Sequence, residues 1–110
     1  MPYDEGLAQR MRELFDDRGV QYTEKKMFGG VGFMIGGNMA GGVHKEALII
    51  RVGPDAYDES LEKPHAKVFD ITGRAMKGWI MLDAEGFAED DDLRDWLDRG
   101  IDFASSLPAK

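Results

Sequence analysis

A glycine-rich stretch opening with Lys26-Met27-Phe28-Gly29-Gly30 is the first place in the sequence to look for chemistry, because such loops often hold phosphate groups. A dinucleotide-binding loop needs the order Gly-x-Gly-x-x-Gly, leading from a strand into a helix. Gly30 and Gly32 fit the first two positions, but Ile35 stands at the third, and no helical pattern follows. The Gly-Lys-Ser/Thr end of a Walker loop is also missing. The stretch therefore indicates tight turns between strands.

Metal and cofactor sites are not indicated by the histidines or by the acidic run. His44 and His65 are the only histidines, and neither has the spacing to carboxylates that metal ligands show on a helix face. The run Glu89-Asp90-Asp91-Asp92 lacks the alternating ligands of a calcium loop, and it fits the first turn of a helix, where the dipole favours negative charge. With no cysteine in the chain, thiolate chemistry is excluded. We expect no metal and no cofactor.

Basic, aromatic and methionine side chains are the remaining candidates for a binding surface. Met76 lies in a turn and is the methionine expected to be exposed, and Trp79 begins a strand as either a core anchor or an interface residue. Basic residues scattered along strands usually solvate sheet edges, but several brought together would form a patch for an anionic ligand. Most of the basic residues outside the outer helices are Lys25, Lys26, Arg51, Lys67, Arg74 and Lys77. We take Arg51, Arg74, Met76 and Trp79 as the candidate ligand or partner surface.

No residues show the spacing of a Ser-His-Asp triad or of paired catalytic carboxylates. We therefore expect a non-enzymatic protein and assign no catalytic residue. The alternative is a small anionic-ligand-binding or enzymatic domain that uses Lys26, Arg51 or Arg74 near the glycine-rich strands. That alternative predicts a concave pocket where those side chains converge.

Charge and composition limit the classes of partner. The chain of 110 residues has 21 acidic and 14 basic residues, which gives a formal net charge of −7. Because affinity for DNA comes largely from lysine and arginine, direct DNA binding is not expected. The acidic N-terminus does not resemble a secretory signal, and the most apolar stretch, Val31–Val43, is too short to cross a bilayer. We expect a cytoplasmic protein with no membrane contact.

The hydrophobic pattern predicts one two-layer α+β domain over residues 1–110, with the order α-β-β-β-β-α-β-β-α. Helical spacing predicts a first helix from about Asp4 to Arg18 and a last one from about Glu89 to Leu107. A short helix is expected from Pro54 to about Glu62. The sheet is expected to be antiparallel, a β-meander plus two further strands. The predicted strands are Thr23–Phe28, Val31–Ile35, Met39–His44, Ala47–Val52, Lys67–Asp70 and Trp79–Leu82.

Several segments together resemble the TfoX (Sxy) N-terminal domain family. The most specific is Lys26-Met27-Phe28-Gly29-Gly30 with the preceding Lys25, and the similarity runs over nearly the whole chain. The other segments are Asp4-Glu5-Gly6-Leu7, Gly37-Asn38-Met39, Arg51-Val52-Gly53, Pro64-His65-Ala66, Gly73-Arg74-Ala75-Met76-Lys77-Gly78-Trp79 and Ser105-Ser106-Leu107-Pro108.

The resemblance implies a bacterial protein with an antiparallel α+β fold similar to that of secretion chaperones. Full-length regulators of the family control natural competence together with the cyclic-AMP receptor protein, and they carry an additional C-terminal domain. The chain is expected to be a stand-alone member without that domain. We expect a regulatory, protein-binding module that self-associates or binds a protein partner. The family supplies no catalytic residues for positions in this chain.

Overall fold

The computed structural model describes residues 3–27, 29–70 and 76–109. It has the predicted order of elements, with one short 3-10 helix added at Ala84–Phe87. The elements are α1 (Glu5–Arg18), β1 (Thr23–Met27), β2 (Gly30–Ile35), β3 (Asn38–His44), β4 (Ala47–Arg51), α2 (Tyr57–Leu61), β5 (Ala66–Val68), β6 (Trp79–Leu82) and α3 (Asp90–Ser106). The α+β class and the order of elements are thus confirmed.

All six strands join one antiparallel sheet in the order β1-β2-β3-β4-β6-β5. The first four strands form the predicted meander. The last two do not simply extend it, because β6 lies between β4 and β5. This position sets Arg51 of β4 directly opposite Trp79 of β6.

One face of the sheet carries the apolar side chains that the helices cover. Residues that lie opposite one another share a face, and two rows of buried residues cross the sheet on this side. The rows are Val31, Val43, Leu48 and Leu82, and Phe33, Ile50 and Ile80. Buried residues of α1 and α3 complete the core, among them Phe15 and Leu97. In the described ranges, no helix is both long and apolar enough to cross a membrane.

Two predicted boundaries are wrong by several residues. The short helix begins at Tyr57 instead of Pro54, because Ala56 has φ −96° and ψ 1°, which is not helical, and offers no capping side chain. Strand β5 ends at Val68 instead of Asp70. There the main-chain oxygen of Phe69 accepts a hydrogen bond from Met76 N at 3.1 Å, so the chain turns away from β6.

Glycines inside the strands accompany irregular pairing, as the sequence predicts. The register of β2 against β3 shifts between Phe33 and Met34, which marks a bulge. A Cβ added at Gly42 would collide with the main-chain oxygen of Val31. The backbones of β2 and β3 therefore approach each other more closely at Gly42 than a residue with a side chain would allow.

A surface ion pair joins α1 to the edge strand β1. Arg12 Nε and a terminal nitrogen of the same guanidinium donate to the two carboxylate oxygens of Glu24, at 2.8 and 2.9 Å. Such two-point pairing of arginine with a carboxylate is stronger than a single contact. The hydrogen bond from Arg12 holds the pKa of the Glu24 carboxyl below its ordinary value of 4.5, against a smaller opposing effect of burial.

This pair predicts how stability depends on pH. Because the folded state lowers the pKa of Glu24, its stabilisation is fully present above about pH 4.5 and is lost as the pH falls through the lower folded value. Glu24→Gln should reduce the free energy of unfolding by up to about 1 kcal/mol at pH 7. The difference from wild type should shrink as the pH falls below about 4.5. Urea unfolding from pH 3 to 7 measures this, with exposed Glu13→Gln as the control. An effect of Glu24→Gln that does not vary with pH would contradict the assignment.

Candidate functional site

Arg51 and Trp79 come together at the end of strands β4 and β6. They are opposite each other in the register, so their side chains share a face of the sheet. The guanidinium carbon of Arg51 lies 5.3 Å from the centre of the Trp79 ring, over its face. This is the geometry of a cation–π contact, which fixes the position of the arginine. Two candidate residues from the sequence are therefore neighbours in the fold.

Phe103 of α3 adds a second aromatic ring to this site. Its ring centre is also 5.3 Å from the guanidinium carbon of Arg51. All three side chains are partly exposed. We call them the Arg51–Trp79–Phe103 cluster. The sequence did not predict the contact of Phe103 with Arg51, since the two residues are far apart in the chain.

Gly53 allows the ring of Phe103 to approach the end of β4. The main-chain nitrogens of Val52 and Gly53 both donate to the oxygen of Gly78, at 2.8 and 3.0 Å. Gly53 has φ +87°, and a Cβ there would lie 2.5 Å from ring carbons of Phe103. A side chain at this position would be strained and would displace the ring. The local backbone is therefore part of the site.

Phe69 and Met76, which lie outside the strands, contact Trp79 of the cluster. The rings of Phe69 and Trp79 are 6.0 Å apart between centres, and Phe69 is buried. Met76 is tied to both, because its nitrogen donates to Phe69 O and its oxygen accepts from Trp79 N, each at 3.1 Å. Its side chain is 37% exposed. The main chain thus holds Met76 next to Trp79, and its apolar side chain is at the surface.

The remaining candidates are not brought to this cluster. Arg74 lies outside the described residues. Lys26 is exposed on β1, at one edge of the sheet, and two strands separate β1 from β4. Three surface pockets formed by described residues are lined by neither Lys26 nor Arg51. The convergence of Lys26 with Arg51 that the anionic-ligand hypothesis predicts is therefore not seen.

The glycine-rich motif forms the connection between β1 and β2. Met27 ends β1 opposite Gly30, the first residue of β2. Gly29 has φ +72° in the turn, and Phe28 lies outside the described residues. The motif thus positions a hairpin at the sheet edge and does not lead into a helix.

Asp90 of the acidic run and His65 have charged partners within the fold. Asp90, at the start of α3, pairs with Arg10 at 3.0 Å. His65 Nδ1 lies 3.5 Å from Asp83, and Lys67 Nζ lies 3.1 Å from the same carboxylate. The hydrogen bond from Lys67 lowers the pKa of Asp83. Within the described ranges, no three His, Asp or Glu residues group as a metal site would require.

Comparison with known proteins gives one family assignment. No curated protein matches the chain. The family model of the TfoX N-terminal domain matches residues 13–104. The matched range includes the whole sheet and every residue of the Arg51–Trp79–Phe103 cluster. This chain therefore belongs to the TfoX N-terminal domain family.

Proposed function

We propose that the chain is a non-enzymatic regulatory module that binds a protein through the Arg51–Trp79–Phe103 cluster and the adjoining Met76. The partner is another protein or a second copy of the chain. The module works in the cytoplasm of a bacterium, in the transcriptional regulation of natural competence, and it contacts protein instead of DNA. Membership of the TfoX N-terminal domain family supports the regulatory class.

The observation that carries this proposal is the composition of the cluster. Tryptophan and arginine are the residue types most enriched where binding energy concentrates in protein interfaces. Here they occur together, half-buried, beside a methionine that is 37% exposed. Rigid aromatic rings supply a large contact area with little loss of side-chain entropy, and methionine adapts to different partners. These properties suit a protein-binding surface.

A small-anion site or an enzyme is a weaker explanation of the same cluster. Phosphate and similar ligands are usually held by several converging donors. Arg51 is the one candidate cation in contact with the rings among the described residues, and Lys26 lies across the sheet. The side chains of the cluster, an arginine, a tryptophan and a phenylalanine, include no general base or nucleophile. The cluster fits a protein contact better than a small ligand.

The test is capture of a partner by wild-type chain and by a surface variant. Met76→Asp places a charge on an exposed position, so the fold should be kept while an apolar contact is lost. Ser105→Asp, exposed on α3, is the matched control. We expect a protein retained by the wild type and by the control, lost with Met76→Asp, and able to bind the purified chain directly. Light scattering on the same samples measures self-association.

Two results would contradict the proposal. One is a partner, or a self-associated state, that is unaffected by Met76→Asp. The other is sequence-specific duplex DNA binding that persists at physiological salt, because that would require a basic surface. For the link with competence, deletion of the gene is expected to reduce DNA uptake by the bacterium, and Met76→Asp should reproduce the reduction.

A further inference from the structure

Arg51 differs from the other described arginines in its surroundings. Each of the others has a carboxylate oxygen no farther than 3.7 Å away: Arg10, Arg12, Arg18, Arg94 and Arg99. Arg51 has no carboxylate partner within the described part of the chain, and it is held by two aromatic rings instead. In a chain with 21 acidic residues, an arginine without an acidic partner is the exception.

The aromatic contacts leave the donors of Arg51 available. A guanidinium is planar, and its five N–H groups point outward in that plane. The rings of Trp79 and Phe103, each centred 5.3 Å from the guanidinium carbon, hold the group in place, and no hydrogen bond between described side chains uses its N–H groups. An oriented guanidinium matches a carboxylate through two parallel hydrogen bonds. The arginine is prepared for an anion that comes from outside the described fold.

The surface around Arg51 decides between kinds of anion. Among the described residues of these segments, Lys77 is exposed next to Met76, and the carboxylate residues Asp55 and Asp70 are exposed after β4 and after Phe69. A phosphate, and still more a nucleic acid, is favoured by clustered positive charge, whereas these described charges have both signs. The exposed apolar side chain of Met76 favours a ligand with an apolar part. A peptide with a carboxylate next to an apolar residue would pair with Arg51 and also contact Met76.

We propose that the partner segment recognised at this cluster is acidic and apolar. A glutamate or aspartate of the partner accepts hydrogen bonds from Arg51, and a neighbouring apolar side chain packs on Met76 and the exposed part of Trp79. This inference rests on the proposed function, because it specifies the partner of the same surface. It assigns Arg51 the role of selecting for charge and the apolar residues the role of supplying contact area.

A selection from a random ten-residue peptide display library on the immobilised full-length chain tests the proposal. We expect enriched peptides to contain Asp or Glu next to a large apolar residue. Arg51→Gln should weaken binding of an enriched peptide by about ten- to hundredfold. Arg51→Lys should bind more tightly than Arg51→Gln and more weakly than wild type. Arg94→Gln makes the same change of charge on α3 and should leave affinity unchanged. Circular dichroism and urea midpoints establish that each variant is folded.

The outcomes separate this inference from the proposed function. Enriched peptides without acidic residues that still depend on Met76 would overturn the charge selection and leave the protein-binding role in place. Enriched peptides that bind Arg51→Gln as tightly as they bind wild type would also overturn the charge selection and leave the protein-binding role in place. Failure to enrich any peptide that depends on the cluster would overturn both. Inorganic phosphate or a duplex oligonucleotide could instead bind more tightly than the peptides and lose this binding with Arg51→Gln. That result would overturn the proposal of a peptide ligand in favour of another anion.

Discussion

Gly100→Ala is expected to destabilise the domain by about 1–3 kcal/mol, although alanine is the better helix former. Gly100 is buried on α3, and an added Cβ would collide with the main-chain oxygen of Ala40 on β3. Ile50 Cγ2 would be 3.4 Å away on the neighbouring strand. Since backbone atoms cannot turn aside, the helix would have to move away from the sheet. Urea or thermal unfolding measures the loss.

Gly6→Ala provides a matched control for this prediction. Gly6 also lies in a helix, but it is exposed, and an added Cβ would meet only the carboxylate of Asp4, at 3.2 Å. That carboxylate caps α1 by accepting a hydrogen bond from Leu7 N at 3.1 Å, and it needs to move only slightly to admit the Cβ. The gain in helix propensity should therefore keep the variant within about 1 kcal/mol of wild type. Equal effects of the two substitutions would contradict the close contact of α3 with β3.

Phe15→Ala is expected to cost about 3–5 kcal/mol, a large share of the stability of a domain this size. Phe15 is fully buried on α1 and lies against two other rings. Its ring centre is 5.4 Å from that of Phe33 and 4.8 Å from that of Tyr22. Removal of the ring loses its own burial and leaves a cavity beside two aromatic partners.

Glu13→Ala is the control for Phe15→Ala, because it changes an exposed residue of the same helix. We expect it to shift the free energy of unfolding by less than about 0.5 kcal/mol. If Phe15→Ala lowers the free energy of unfolding by less than about 1 kcal/mol, the packing of Phe15 against Phe33 and Tyr22 is contradicted. Chemical denaturation of the two variants at the same pH gives the comparison.

Local patterns predicted the elements but not all their ends or their order in the sheet. Apolar spacing is visible over α1 and α3, and glycine turns separate β1 from β2 and β2 from β3. The position of β6 between β4 and β5 left no trace in sequence, because strand pairing depends on contacts between distant residues. The start of α2 at Tyr57 also depends on the turn after Gly53, which overrides the preference of Pro54 for a helix start.

The candidate site was predicted only in part, because it too depends on contacts between residues that are distant in the chain. The sequence marks Arg51, Met76 and Trp79 as residues of the right chemistry, and the register of β4 with β6 brings Arg51 opposite Trp79. Phe103 appears in sequence only as part of an apolar helical stripe. Its role follows from the packing of α3 beside Gly53, where the absence of a side chain admits the ring. Spatial convergence of this kind has no local signal.

The central claim, that the Arg51–Trp79–Phe103 cluster is the interaction surface, is tested most directly by a nuclear magnetic resonance titration. Isotope-labelled chain is titrated with the captured partner, or diluted if it self-associates. The account predicts that the largest signal changes occur at the Trp79 indole, the Arg51 side chain, the Met76 methyl group and the Phe103 ring. Changes confined to the β1–β2 hairpin or to Glu89–Asp92, with the cluster signals unmoved, would contradict it.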